Sequence, residues 1–378
     1  CITYLSRILF RYLESGGHFS DALTIHIHAL DAARHTGDPL AESYALTSLG
    51  VAYWQQGHYD QAVEYFHPAL ALCREVGDQT GLARTLGNLG NVYWQQGCYA
   101  QAADHYKQAQ AWWRDIGDGA NEAAVLTNLG LVYVQQGLYR QAADHLLQAL
   151  ALFREFDHRV GEARTLIPLG LVFVQQGCYD QAADHLLQAL TLARESGERR
   201  GEAEALDNLG TVNQRQGRYE QAAEHHEQAL VLFRELGGRA GEVDALTNLG
   251  TVYQRQGRYE QAAEHHQQAL ALSCEIGERA SEAKARNGIG ETNHATGQLR
   301  EAPIQHAAAL TLAIEIGDRY EQARAHNGLA HTHQATGDPD QARHHWQQAL
   351  SIYADLGVPE ADDVRAHLAT LDHDDSPG

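Results

Sequence analysis

The sequence predicts an all-α solenoid of about nine antiparallel helix pairs, followed by a short C-terminal capping helix. Three observations support this prediction. A residue pattern recurs every forty positions along nearly the whole chain, which is the signature of stacked repeats. Apolar residues within each repeat recur at helical spacing. Glycines recur at three fixed places in each repeat, where helices end or pack closely.

The period is clearest in two segments that lie forty residues apart. Residues 205–230 read ALDNLGTVNQRQGRYEQAAEHHEQAL, and residues 245–270 read ALTNLGTVYQRQGRYEQAAEHHQQAL. The same frame extends in both directions from these segments. We predict a degenerate N-terminal helix pair at 1–40, eight repeats over 41–360 with boundaries near 80, 120, 160, 200, 240, 280 and 320, and the end of the capping helix with a frayed tail at 361–378.

Each repeat is predicted to form two helices joined by a tight turn. In the repeat at 81–120, Leu86 and Tyr93 are spaced as one face of a first helix. Gly97 supplies the left-handed residue that ends this helix, and Gly117 ends the second one. Because the connections are this short, the two helices are expected to be antiparallel neighbours.

A few residues mark helix starts or depart from the regular pattern. Asp38 precedes Pro39, as expected of an N-cap followed by proline at the first helical position. Pro68 and Pro168 lie inside predicted helices, where each removes a backbone hydrogen bond and should kink the helix. Asp157 stands where the other repeats have their closing glycine.

Composition limits the function classes that the chain can belong to. The formal net charge is −21, which repels a phosphate backbone, so we expect no direct nucleic-acid binding by this segment. No stretch approaches the roughly 18 consecutive apolar residues of a membrane span. The five cysteines are scattered and form no close pair, which argues against disulfides or a zinc site and favours a cytoplasmic setting.

The start of the chain indicates that more protein precedes it. The sequence opens on Cys1 and contains no methionine. We therefore expect it to be part of a longer protein. The irregular first repeat also leaves open self-association through the end repeats.

The recurring frame resembles the tetratricopeptide repeat. In one repeat it is carried by Leu246, Leu249, Gly250, Tyr253, Gly257, Tyr259, Ala262, Ala269 and Leu270. The repeats here are forty residues long, whereas the common form has about 34 and often ends in proline. The resemblance implies a right-handed superhelical solenoid whose first helices line a concave groove. It also implies a protein–protein interaction module that binds a peptide or protein segment in that groove.

A second resemblance suggests an alternative function. Residues 349–368 are similar to the closing segment of tetratricopeptide arms on actinobacterial signal-transduction NTPases and transcriptional activators. This resemblance implies a sensor or regulatory arm of a larger protein, with its catalytic and DNA-binding parts outside this chain. The two functions are compatible, and the upstream sequence distinguishes them.

Amide side chains on the first helices are the first group of candidate groove residues. Four of them directly precede Leu-Gly, two lie one residue earlier, and one follows the glycine. They are Asn88, Asn128, Asn208 and Asn248, then Asn287 and Asn327, and finally Asn91. In the resembled family these positions face the groove, where repeated amides can bond a peptide backbone. The alternative is that they only bond neighbouring helices and hold their register.

A second group of candidates changes character along the chain. Trp54 and Trp94 lie at the predicted groove in the N-terminal half, and Arg215 and Arg255 occupy the next position in later repeats. An apolar strip followed by arginines suits a ligand with hydrophobic side chains and an acidic group. The alternatives are that the tryptophans pack between repeats and that the arginines pair with nearby glutamates.

The sequence offers no candidate for catalysis, a cofactor or a metal. A histidine ladder on the second helices comprises His105, His145, His185, His225 and His265. Its members lie one repeat apart, too far for ligands that must each approach an ion to about 2.0–2.1 Å. We interpret these histidines as solvated or as packing between helices. Phosphate-binding loops and activated nucleophiles are also missing from the sequence, so we predict that the chain is not an enzyme.

Overall fold

The computed structural model describes the backbone of residues 19–374 and the side chains of residues 21–371. Two compact units make up the chain, Cys1–Leu192 and Ala193–Gly378. The N-terminal unit contains α1 (Phe19–Thr36), α2 (Pro39–Gln55), α3 (Tyr59–Val76), α4 (Gln79–Gln95), α5 (Tyr99–Ile116), α6 (Gly119–Gln135), α7 (Tyr139–Glu155), α8 (Arg159–Gln175) and most of α9 (Tyr179–Ser196).

The C-terminal unit continues the alternation. It contains α10 (Arg199–Arg215), α11 (Tyr219–Glu235), α12 (Arg239–Arg255), α13 (Tyr259–Ile276), α14 (Arg279–Ala295), α15 (Ala302–Ile316), α16 (Arg319–Ala335), α17 (Pro339–Leu356) and α18 (Glu360–Asp374). Even-numbered helices from α2 to α16 are the first helices of their repeats, and odd-numbered helices from α3 to α17 are the second. Within each unit, each helix packs against the next. The predicted all-α class is confirmed for the described residues.

Helix ends follow the predicted local chemistry. The Asp38 carboxylate accepts a hydrogen bond from the backbone N–H of Ala41 at 3.0 Å, with proline at the first turn of α2. Gly97 has a φ of 72°, and the N–H of Cys98 bonds back to the carbonyl of Tyr93 at 2.8 Å. Such a left-handed turn satisfies carbonyls that the end of α4 would leave unpaired.

The core of each repeat depends on close approach between its two helices. A Cβ on Gly90 of α4 would lie 2.5 Å from the ring of Tyr106, which is buried on α5. Glycine is therefore needed at this place, because the second-helix ring occupies the space that a side chain would take. Leu146 occupies the same space above Gly130 in the following repeat.

The last helix closes the C-terminal unit. Val364 and Leu371 of α18 are buried in a cluster with Trp346 of α17. The hydroxyl of Tyr320 donates a hydrogen bond of 2.7 Å to Glu360 at the start of α18. The predicted capping helix is therefore present, and it extends to Asp374. The predicted first helix of the 1–40 pair and the last four residues lie outside the described residues.

Two prolines do not interrupt their helices. α3 continues through Pro68, and α8 continues through Pro168. None of the described helices is long and apolar enough to cross a membrane.

Replacing the exposed Pro68 with glutamine should stabilise the chain by roughly 1–2 kcal/mol. Proline inside a helix costs about 3 kcal/mol, and part of that gain is lost because the unfolded chain becomes more flexible. Gln108 and Gln148 occupy the equivalent position in the next repeats, so the substitution fits the fold. Chemical denaturation followed by circular dichroism measures the change, and an unchanged or lower midpoint would contradict it.

Candidate functional site

Polar side chains join neighbouring first helices of the N-terminal unit. The Nδ2 of Asn128 on α6 donates to Oδ1 of Asn91 on α4 at 3.4 Å. The same oxygen accepts a stronger bond of 2.6 Å from the hydroxyl of Tyr106. On α6 and α8, the hydroxyls of Thr127 and Thr165 lie 2.8 Å apart. These bonds join neighbouring first helices, and Asn91 and Asn128 take part in them.

A similar arrangement joins first helices of the C-terminal unit. The Nδ2 of Asn248 on α12 donates to a carboxylate oxygen of Asp207 on α10 at 3.2 Å. His226 Nδ1 donates to the same carboxylate at 2.6 Å. Asn208 instead donates to the carbonyl of Glu204 in its own helix at 2.8 Å. Asp207 is absent from the residues predicted from the sequence, although it lies one residue before Asn208 of the amide series.

The structure does not place Asn287 where a ligand can reach it. Asn287 has no exposed surface. Its Nδ2 donates to Glu321 at 2.9 Å, and its Oδ1 accepts from His306 Nδ1 at 3.0 Å. The equivalent Asn327 is half-buried and accepts from the indole N–H of Trp346 at 3.0 Å. Asn287 is therefore removed from the candidate groove residues, because the next first helix, α16, packs over it.

A strong ion pair lies between α14 and α16. Arg324 Nε and Nη2 donate to the two carboxylate oxygens of Glu291 at 2.6 and 2.8 Å. Burial opposes ionisation of Glu291, but the charge and hydrogen bonds of Arg324 lower its pKa to about 2. Two parallel N–H···O bonds of this kind fix both side chains in one geometry. The pair therefore sets the position of α16 against α14.

The aromatic and apolar candidates are only partly covered. Trp54 and Trp94 are half-buried, and the ring of Trp94 meets Tyr99 edge-on with centroids 5.4 Å apart. Leu131 and Leu171, which lie three residues before the equivalent position in the following two repeats, are also half-buried. The first helices of the N-terminal unit thus leave a series of accessible apolar side chains.

The two arginine candidates are exposed. Arg215 and Arg255 lie at the ends of α10 and α12. Burial and the Glu360 carboxylate raise the pKa of Tyr320, whereas the charges of Arg324 and Arg215 act in the opposite direction. Arg215 thus contributes to the electrostatic surroundings of Tyr320 on α16.

A pocket opens between α10 and α12. Its volume is 470 Å³, and charged side chains of both signs line it together with Phe233 and the turn at Gly237 and Gly238. Asp244 lies in this cleft. Its side chain is exposed, and desolvation by the protein around it raises its pKa to about 6.

The histidine ladder packs between helices. His105 and His145 stack on Tyr93 and Tyr133, each pair with ring centroids 5.2 Å apart and nearly parallel planes. Burial lowers the pKa of both histidines. Among the described residues, no group of three or more His, Cys, Asp or Glu side chains is arranged to hold a metal ion.

A second set of histidines lies beside the ladder and is more deeply buried. His226, His266 and His306 have no exposed surface. Each ring lies against the packing glycine of its own repeat, where the earlier repeats place Phe66, Tyr106 or Leu146. The signal was present in the sequence, because these residues share one position in the forty-residue frame.

Comparison with known proteins shows similarity in fold at low sequence identity. No curated protein matches the chain. The structure of a Rap protein complexed with Competence and Sporulation Factor is 18% identical, with a TM-score of 0.65 over 94% of this chain and 98% of the other. The apo quorum sensor NprR from B. thuringiensis is 13% identical, with a TM-score of 0.66 over 93% and 97%.

A third similar structure belongs to a larger protein. It is a signal transduction ATPase with numerous domains and a tetratricopeptide repeat sensor, from Pyrococcus horikoshii. The identity is 14% and the TM-score 0.62, over 92% of this chain and 55% of the other. At these identities the three structures show a shared fold and nothing finer.

Family comparison extends the likeness to the sequence itself. The tetratricopeptide repeat model matches residues 41–111, 81–155, 161–235, 209–275, 241–315 and 281–355, and a second model of the same repeat matches residues 127–190. These matches cover well over half of the chain, which therefore belongs to the tetratricopeptide repeat family.

Proposed function

We propose that the chain is a non-catalytic interaction module that binds a peptide or protein segment along its first helices. The observation that carries this proposal is the apolar series on the N-terminal unit. Trp54, Trp94, Leu131 and Leu171 are half-buried in the chain alone, and one of them lies on each of four successive first helices. Covering such side chains with a partner removes apolar surface from water, which is the main favourable term in association.

The repeat spacing suits an extended ligand. Neighbouring helices lie roughly 8–10 Å apart, and an extended peptide rises about 3.3 Å per residue. About three ligand residues therefore match one repeat. Half-buried amides such as Asn88 and Asn208 add hydrogen-bonding groups at the same interval. Asn287 is excluded from this contact set because it is covered.

In the C-terminal unit we assign carboxylate recognition to the exposed arginines. Arg215 and Arg255 occupy equivalent places at the ends of two successive first helices, α10 and α12. A guanidinium can bind a carboxylate through two parallel hydrogen bonds. A ligand for this unit then carries an acidic group. The net charge of −21 argues against nucleic acid as that ligand.

Loss of the apolar series is expected to weaken peptide binding at least tenfold. The probe is a peptide selected from a random library against the full chain. Its length is about twelve residues, because the apolar series spans four repeats and about three ligand residues match each repeat. Replacing both Trp94 and Leu131 with alanine removes two central apolar contacts, each typically worth about 2 kcal/mol at an interface hot spot. Fluorescence anisotropy measures the affinity, and circular dichroism checks the helices.

The matched control replaces Leu147 and Leu187, two exposed leucines on second helices, with alanine. This control should bind the selected peptide as the unchanged chain does. If it loses binding while the Trp94 and Leu131 variant keeps it, the ligand lies on the second helices and the proposal fails.

The second candidate function is a sensor arm of a larger regulator. Its support is the fold shared with the repeat sensor of a larger ATPase. The four described cysteines are free, which fits the cytoplasmic setting that this function needs. Sequencing the gene upstream of Cys1 tests it. A phosphate-binding loop and a winged-helix segment there would support it, and a natural start just before Cys1 would exclude it.

A further inference from the structure

At two positions the last repeat has histidine where most of the earlier repeats have leucine or an aromatic residue. His326 of α16 occupies a place held by leucine in six of the repeats, namely Leu46, Leu86, Leu126, Leu166, Leu206 and Leu246. His333, two helical turns further along the same face, stands where most repeats have Tyr or Phe. Imidazole contributes less to packing than these side chains, so the core alone does not account for the change.

The substitutions bring imidazoles from two helices together. Nδ1 of His326 and Nδ1 of His345 on α17 are joined by a hydrogen bond of 2.9 Å, in which one of the two nitrogens carries the proton. The ring of His333 stacks on His345, with centroids 5.4 Å apart and planes 11° from parallel. His344 meets the same ring edge-on, with centroids also 5.4 Å apart and planes 66° from parallel. His345 is therefore held by three neighbouring imidazoles.

The separation of the two Nδ1 atoms suits a metal ion. Imidazole nitrogens bind transition metals at about 2.0–2.1 Å. Two such bonds whose nitrogens are 2.9 Å apart subtend an angle of about 90° at the metal, because half the separation divided by the bond length is close to sin 45°. That angle joins adjacent ligands in the tetragonal geometry preferred by Cu²⁺ and Ni²⁺.

Metal binding depends on which nitrogen of each ring carries the proton. Binding requires both rings to carry their proton on Nε2, which leaves a lone pair on each Nδ1.

We propose that His326 and His345 form a two-imidazole site for a divalent transition-metal ion, with Cu²⁺ bound most tightly. The order of affinity follows the general rise towards copper across the first-row divalent metals. His333 stacks on His345 and orients its ring without converging on the ion. Since the described residues bring no third ligand to the site, water completes the coordination.

The test titrates the full chain with CuCl₂ at pH 7.4 against glycine as a competing chelator. His326→Leu and His345→Gln remove one ligand each and introduce residues that this chain already has at equivalent positions, Leu246 and Gln305. Both variants should therefore fold, which thermal melting verifies. Each should lower the affinity for the first equivalent of Cu²⁺ by more than the tenfold typical of losing a ligand's supporting hydrogen bond.

The matched control is His145→Gln in the N-terminal unit. His145 is at the position equivalent to His345, but its neighbours are Leu126 and Tyr133 rather than histidines. The control should keep the first equivalent at full affinity. Electron paramagnetic resonance should show two nitrogen ligands in the control and one in either pair variant. Equal losses in control and pair variants, or no loss in the pair variants, would mean that copper binds elsewhere and would overturn the proposal.

Discussion

Replacing His266 with leucine is expected to stabilise the C-terminal unit, and to do so more at pH 5 than at pH 8. His266 is fully buried, and neither ring nitrogen has a hydrogen-bond partner among the described residues. Each such nitrogen is removed from water without gaining a hydrogen bond, which destabilises the fold by about 1–3 kcal/mol. Leucine fits the place, because Leu146 and Leu186 pack on Gly130 and Gly170 in the same way.

The pH dependence follows from the pKa of the buried ring. Burial, with the charge of Arg324 acting in the same direction, lowers the pKa of His266 to about 3, although Glu291 opposes this. The unfolded chain therefore binds the proton more tightly than the folded chain does. Stability is fully present above pH 6.5 and is lost as the pH falls from 6.5 towards 3. At pH 5 the loss is about 2 kcal/mol, which is 1.5 pH units at 1.36 kcal/mol each.

Urea denaturation of both chains at pH 8 and pH 5 measures the effect, with hydrogen exchange assigning it to the C-terminal unit. The reciprocal variant, Leu146→His, should introduce acid sensitivity into the N-terminal unit, where Leu146 is fully buried on Gly130. If the leucine variant loses stability between pH 8 and pH 5 as steeply as the unchanged chain, His266 is not the source of the acid sensitivity.

The second large effect is expected from Gly288→Ala on α14. A Cβ on Gly288 would lie 2.4 Å from the ring of His266, and a Cβ on Gly250 would lie 2.5 Å from its other side. The ring is enclosed by two glycines and cannot move away. Overpacking of this kind costs about 1–3 kcal/mol and occasionally more, whereas alanine improves helix propensity by only about 1 kcal/mol. We expect a net destabilisation of about 2 kcal/mol.

Gly87→Ala on α4 is the matched control. It also replaces a glycine inside a first helix, but its Cβ would meet nothing within 4 Å. Here only helix propensity changes, so the chain should gain up to about 1 kcal/mol. Denaturation midpoints compare the two variants. Stabilisation by both substitutions would show that the His266 ring is not confined. In a chain that also carries His266→Ala, the destabilisation caused by Gly288→Ala should be smaller.

Local patterns were enough to predict the helices. Helical spacing, the N-cap at Asp38 and the left-handed turn at Gly97 depend on neighbours within a few residues, and the structure has each of them. The packing glycine Gly90 was also predictable, because it recurs at one place in the frame and its partner Tyr106 lies in the same repeat.

The candidate site was less predictable, because it depends on contacts between repeats. Asn248 and Asn287 differ by one position in the frame, yet one is half-buried and the other is covered by α16. A helix turns by about 100° for each residue, so a shift of one position moves a side chain from the open face to the interface. The interface of Asn287 includes Glu321 and His306, which the repeat pattern does not connect to it.

The sequence by itself determined that this is a tetratricopeptide repeat solenoid, because period, helical spacing and glycine placement are all written within forty residues. It also determined that Leu is replaced by histidine at position 326. Only the tertiary structure decided that His326 faces His345 at 2.9 Å, that Gly288 encloses His266, and which amides remain accessible. The physical reason is that these relations depend on how one helix lies against the next, and distances between helices follow from packing rather than from residue spacing.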